Sequence, residues 1–401
     1  MDGERLGGMI VRAVKWLAGR LLRLLPETVR GALLPGGFHY SVADIPPATV
    51  APATAVRLYV APVNYAGQGW QWARAAERNI EGVGAVNTVC RIGADFRHPA
   101  DVEVPLGVYA ASSRWQRAEF AAVTSGFTHV IVEAEKPPFG AVLDETTRGQ
   151  VERLRAAGIA VAMLCHGSDI RLPSRHIADN DSSVFADALA ATAPVLEKVA
   201  RENRRLLDEL GAPVFVSTPD LLRDVPYATW LPVVIEPSAW ASETVPLERG
   251  RPIVAHAPSR AAMKGSELVD PVLAALDAEG LIEYRRIVKV PYGEMADIYR
   301  TSDIVLDQFR LGDYGVAACE AMAAGRVVVA HVNERTRAAV LEASGLSLPI
   351  VQSTTDEIEG VIRAIVADRE TYRAMAEQGP QFVEAVHNGR MSADVLRGFL
   401  L

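Results

Sequence analysis

The stretch that decides the fold is Ile304-Val305-Leu306-Asp307-Gln308-Phe309-Arg310-Leu311-Gly312-Asp313-Tyr314-Gly315-Val316-Ala317-Ala318-Cys319-Glu320-Ala321-Met322-Ala323-Ala324-Gly325. It opens on a short apolar strand, 304–306, and passes through a loop carrying Gly312 and Gly315. It then enters a helix of small side chains at 315–324, and a second apolar strand follows at 327–330. Strand, helix and strand in so few residues make a βαβ unit, which places its two strands parallel. The free N–H groups and dipole at the start of such a helix favour an anion. Glu320 is the one charged residue between Asp313 and Arg326, so a helix otherwise suited to burial carries a single carboxylate in need of a partner.

The same alternation covers most of the chain. A first series has expected strands at 57–60, 85–89, 128–133, 160–165 and 214–217, separated by helices at 68–80, 114–123, 145–157 and 195–210. A second series has strands at 253–257, 284–290, 304–306, 327–330 and 348–351, with helices at 266–278, 293–301, 315–324 and 355–367. Pro232, Pro237, Pro246 and Gly250 cluster between them. The fold class is therefore α/β, with two doubly wound, Rossmann-like domains facing each other across a cleft. The expected boundaries are 1–35 for an N-terminal segment, 36–235 and 236–388 for the two domains, and 389–401 for a C-terminal helix packing back on the first domain.

Composition bounds the function. The 401 residues carry 41 Lys and Arg against 49 Asp and Glu, a net charge of −8, which argues against a general nucleic-acid binder. Cys90, Cys165 and Cys319 lie far apart, so neither a zinc site nor a disulfide framework is indicated, and a reducing cytosol fits. No run of about 20 uncharged apolar residues predicts a membrane-spanning helix. The charge is uneven. Arg5, Arg12, Lys15, Arg20, Arg23 and Arg30 against Asp2, Glu4 and Glu27 leave +3 over residues 1–34 and −11 over the rest. On a helical wheel Arg12, Lys15, Arg20 and Arg23 share an arc of about 140° opposite Ile10, Val14, Leu17, Leu21, Leu24 and Leu25. Residues 9–25 thus read either as an interfacial helix on anionic lipid or as a helix packed on protein.

Ligands of parallel sheets bind beyond the carboxyl ends of the strands, which directs attention to four loops. After the first strand, Gly67 and Gly69 allow close backbone approach, and Gly67 and Gln68 are candidates for the acceptor side. Trp72 stands where a dinucleotide fingerprint needs its third glycine, so NAD or FAD is not expected there. His166-Gly167-Ser168-Asp169-Ile170-Arg171 follows the 160–165 strand. It offers His166 as a proton-transfer or hydrogen-bonding group, with Asp169 and Arg171 beside it for an acceptor. His166 and Asp169 without a third ligand do not indicate a metal. The third loop carries Arg260 and Lys264, two cations suited to the charge of a departing diphosphate. The fourth is the opening stretch.

Those residues carry a resemblance. Arg260 and Lys264-Gly265, then 298–306, then Tyr314-Gly315 and Glu320-Ala321-Met322-Ala323-Ala324-Gly325, resemble the C-terminal half of family 4 glycosyltransferases. The resemblance extends over about 55–400 and is densest between 253 and 332. It implies the GT-B fold and a retaining, metal-independent transfer in which the leaving phosphate helps deprotonate the acceptor. It also implies that Arg260, Lys264, Gly312, Tyr314 and Gly315 meet the donor diphosphate and sugar, that Glu320 holds the ribose, and that His166 lines the sugar pocket. Where the family has a further glutamate eight residues before Glu320, this chain has Gly312, and Asp313 is the candidate replacement.

The expected function is glycosyl transfer from a UDP- or GDP-type sugar to a hydroxyl of a glycan, a lipid-linked or a small-molecule acceptor, with no resident cofactor. The expected location is cytoplasmic, at the inner membrane face if 9–25 meets lipid. A non-catalytic sugar-nucleotide-binding subunit and a sugar-nucleotide epimerase stay open as alternatives.

Overall fold

The computed structural model describes residues 25–91, 98–141, 146–258 and 260–401. The basic segment expected at 9–25 lies, apart from Leu25, outside the described residues. The first series forms β1 (Val56–Ala61), β2 (Val83–Arg91), β3 (Val102–Pro105), β4 (His129–Glu133), β5 (Ala160–Cys165), β6 (Val214–Val216) and β7 (Thr229–Trp230). They pair in the order β3-β2-β1-β4-β5-β6-β7. The second forms β8 (Ile253–His256), β9 (Glu283–Arg286), β10 (Ile304–Leu306), β11 (Val327–Ala330) and β12 (Val351–Gln352), ordered β12-β11-β10-β8-β9. Every strand pair in both sheets is parallel.

The central strands are covered on both faces, so they read as apolar runs rather than alternations. Leu58 to Ala61 and Val161 to Cys165 are buried at successive positions for this reason. The edge strands carry weaker sequence signals. β3 mixes Val102 and Val104 with an acidic residue and ends in proline, and β7 is two residues long. The strand expected at 284–290 stops at Arg286, and that at 348–351 contracts to Val351–Gln352.

Both ends of the described chain fasten onto the first sheet's layer. Helix Arg390–Leu400 buries Ala393, Leu396 and Leu400, and its Phe399 ring stands 5.1 Å from His129 and 6.3 Å from Phe215. Gly389, at φ +97°, starts it against helix Gln68–Asn79, where a Cβ would lie 3.0 Å from that of Ala75. At the other end, Arg30 turns inward. Its guanidinium donates to Ala111 O (2.9 Å) and Ser113 Oγ (3.1 Å), while Tyr40 donates to Glu27 Oε1 (2.8 Å).

Candidate functional site

Each sheet starts in its middle. The chain leaves β1 toward β2 and returns to β4 on the other side, and it leaves β8 toward β9 and returns to β10. Loops diverge at these two switch points and leave a crevice at the strands' carboxyl ends. The candidate residues sit around them.

At the second crevice the structure brings together Lys264, Asp307, Gly315, Glu320 and Tyr292. Lys264 ends the short helix Ala261–Lys264 and forms an ion pair with Asp307, the residue after β10. Asp307 is fully buried and accepts, on its other oxygen, the N–H of Gly315 at 2.9 Å. Gly315 caps helix Val316–Ala323, which carries Glu320. Glu320 is buried, its Oε1 has no hydrogen-bond partner, and Tyr292 stands near enough to the carboxyl group to favour its ionised form. Burial raises its pKa to about 8, against the opposing pull of Tyr292 and Lys264. Arg260 is exposed on the turn before Lys264, its guanidinium 3.7 Å from Met263 Sδ.

The sequence assigns no role to two members of this group, Asp307 and Tyr292. Asp307 was open to the argument applied to His166: it is polar and stands directly beyond a strand's carboxyl end. Tyr292 carries no such signal, because its contact with Glu320 depends on how a 3₁₀ turn at Tyr292–Glu294 packs.

Asp313 and Tyr314 point elsewhere. Asp313 is buried against Asp220, whose Oδ2 accepts two bonds from Arg171, at 2.8 Å from Nε and 2.6 Å from Nη2. Burial and then the charge of Asp220 hold the Asp313 carboxyl well above the usual range. Arg171 is thus part of the joint between the two sheets. Tyr314 Oη lies 3.2 Å from His387 Nε2 in the buried seam between them. Gly312, at φ +69°, donates no side chain, and its carbonyl accepts from Asn333 N (3.0 Å) and Thr336 Oγ1 (3.2 Å).

On the first sheet's side, His166 Nε2 lies 3.0 Å from Glu133 Oε1, with the ring packed on Tyr65 (5.1 Å) and Trp72 (5.7 Å). Asp169 turns back to accept from the N–H groups of His166 (2.8 Å) and Gly167 (2.5 Å). Gln68 is committed at both ends of its amide to Val234, accepting from N at 2.6 Å and donating to O at 3.0 Å. Gly67, at φ +76°, lets His98 approach within about 3.1 Å of where a Cβ would be, and the His98 ring meets Tyr292 at 4.5 Å. A contact chain therefore runs from the first switch point through His98 and Tyr292 to Glu320.

Among the described residues, Glu135, Cys165 and Asp169 bring potential ligand atoms within 4.8 Å of one another. Cys165 Sγ donates to Glu135 Oε1 (3.1 Å), and burial pushes the pKa of both groups up. A cavity of about 470 Å³, lined by Arg171, His176, Asn180, Asp220, Leu311 and Asn333, opens beside the Asp313–Asp220 contact rather than over Lys264 and Glu320.

No protein-family model matches the chain, and no curated protein matches it. Solved structures do. A sucrose-phosphate synthase from Thermosynechococcus elongatus superposes with a TM-score of 0.52 at 14% identity, over 85% of this chain and 97% of that one. HepE from Anabaena, in complex with UDP and glucose, gives 0.54 at 12% identity, over 85% and 98%. A glycosyltransferase from Rickettsia africae gives 0.53 at 10% identity, over 85% and 97%. With two parallel α/β sheets of seven and five strands, the chain has the GT-B fold.

Proposed function

We propose that this chain is a retaining glycosyltransferase of the family 4 type that moves a sugar from a nucleoside-diphosphate donor to a hydroxyl acceptor. The observation that carries the reading is Glu320, a buried carboxyl group with one oxygen unpartnered, on a helix whose entrance adjoins Lys264. A buried acceptor of this kind is costly unless a ligand satisfies it, and the two hydroxyls of a ribose are donors of the right spacing. The presence of UDP and glucose in the HepE complex supports the same ligand class here.

In the reaction, the bond between the anomeric carbon and the diphosphate oxygen breaks, and a new bond forms to the acceptor oxygen. The acceptor's proton passes to the leaving phosphate. Lys264 and Arg260 balance the charge that develops on the diphosphate. His166, kept in place by Glu133, contributes a hydrogen bond toward the sugar from the opposite sheet. The donor is a substrate rather than a resident cofactor, and the sequence resemblance supports retention without a metal. The amphipathic charge pattern of 9–25 supports a cytoplasmic protein that meets the anionic inner face of the membrane, with a glycan or lipid-linked acceptor.

A panel of nucleotide sugars tested by thermal unfolding checks this reading. A true donor at one hundred times its Kd should stabilise the fold by about 2.7 kcal/mol. Glu320→Ala and Lys264→Ala should each weaken that donor at least about ten-fold, a loss of about 1.4 kcal/mol. Absence of any shift across UDP- and GDP-sugars would refute the donor site. A shift without nucleotide release in the presence of acceptors would support a non-catalytic sugar-nucleotide-binding subunit.

A further inference from the structure

The groups a donor phosphate would need are already held by an internal anion. Lys264, 13% exposed at its side chain, pairs with Asp307, which is fully buried. The other Asp307 oxygen takes the Gly315 N–H at the entrance of the eight-residue helix Val316–Ala323. A cation and a helix entrance are a phosphate's natural partners, and one carboxylate engages both. The unpartnered Oε1 of buried Glu320, on the same helix, marks where the rest of a ligand would lie.

Building on the donor-site reading, we propose that Asp307 is a built-in competitor for the donor's diphosphate, holding Lys264 while the site is empty and reclaiming it when the diphosphate leaves. The lysine ammonium has three donors on a flexible stem, so it can turn toward an incoming phosphate without moving the backbone. A diphosphate brings more negative charge than one carboxylate and takes over the ammonium. The carboxylate keeps its bond from Gly315 and stays near, so it repels the diphosphate and favours its departure. Lys264 also acts on Glu320: its charge stabilises the ionised carboxylate, whereas that of Asp307 opposes it. Nucleotide affinity is thereby set lower than an uncontested lysine would give, and product release is correspondingly faster.

The test is calorimetric titration of the full chain with UDP and with GDP, for wild type, Asp307→Asn, Lys264→Ala and the double variant. Asparagine matches the shape of aspartate, and its carbonyl can still accept from Gly315. Asp307→Asn should bind the better nucleoside diphosphate roughly ten-fold more tightly, a size reasonable for a close charge pair. The gain should vanish in the Lys264→Ala background and with the unphosphorylated nucleoside. Asp307→Ser provides the same readout if the asparagine variant unfolds. Equal or weaker binding by Asp307→Asn, while wild type binds and Lys264→Ala weakens, overturns the proposal and makes Asp307 a support for Lys264. Tightening that persists without Lys264 overturns it as well. If wild type and all variants bind neither nucleotide, the donor-site reading itself fails, and the competitor with it.

Discussion

At the scale of single residues, Glu320 carries the sharpest consequence, because its burial links function to stability. Its carboxyl has a pKa of about 8 in the native chain against an ordinary 4.5. Between those values the folded state keeps a proton that the unfolded chain has released. Stability therefore falls as pH rises from 4.5 toward about 8, and the penalty is complete above that. Glu320→Gln removes the ionisation. Its Tm should exceed that of wild type by a margin that grows through this window and then levels off, as thermal melts across pH would show. A margin independent of pH would place the buried charge elsewhere. Glu320 could be picked out in sequence because it was the lone charge on an otherwise small-residue helix. The competing role of Asp307 could not, since an aspartate after a strand is common and only the approach of Lys264 distinguishes this one.

At the scale of elements, the loop between β10 and helix Val316–Ala323 serves both sheets. Arg310 reaches across to donate to Ser182 O (2.6 Å) and Ser183 O (3.1 Å), and Asn180 Nδ2 donates to Arg310 O (3.2 Å). Leu311 packs with Val184 and Phe185. This docking bends the loop so that Gly312 takes φ +69°, where a Cβ would come within 2.8 Å of Asn333 Nδ2. A side chain at this position would need the left-handed backbone that glycine adopts most easily, and the Asn333 amide would have to move to admit it. Gly312→Glu should destabilise the chain by about 1–3 kcal/mol in denaturant titration and should not raise donor turnover. Full stability in that variant would mean that the loop adopts another conformation. The glycine itself is plain in sequence; its left-handed backbone and the approach of Asn333, 21 residues farther on, are not.

At the scale of the whole molecule, the net charge of −8 averages two unlike parts. Arg30, counted with the basic segment, is buried in the fold, whereas the arc from Arg12 to Arg23 belongs to residues outside the described structure. No helix among the described residues is long and apolar enough to cross a membrane. Deleting 1–24 spares Arg30 and Glu27 and so should leave the Tm of the remainder nearly unchanged. It should abolish co-sedimentation with vesicles containing anionic lipid, with a salt sensitivity expected of surface charge. Equal sedimentation of the two proteins would assign the segment to a protein contact instead.

By itself the sequence determined the alternation of strands and helices, and hence two parallel sheets with a crevice at the carboxyl ends of each. Those follow from local periodicity, which a parallel βαβ unit expresses within a few dozen residues. It also singled out Lys264, as one of two cations in a strand-to-helix loop, and Gly315 and Glu320, which stand out against small apolar neighbours. Tertiary structure alone decided which charges meet. Asp313 found Asp220 across the joint between sheets, and His166 found Glu133 on a neighbouring strand. Lys264 found Asp307, 43 residues away. Such pairings are set by how strands order themselves in the sheet and how the two sheets dock, and the spacing of residues along the chain does not encode either.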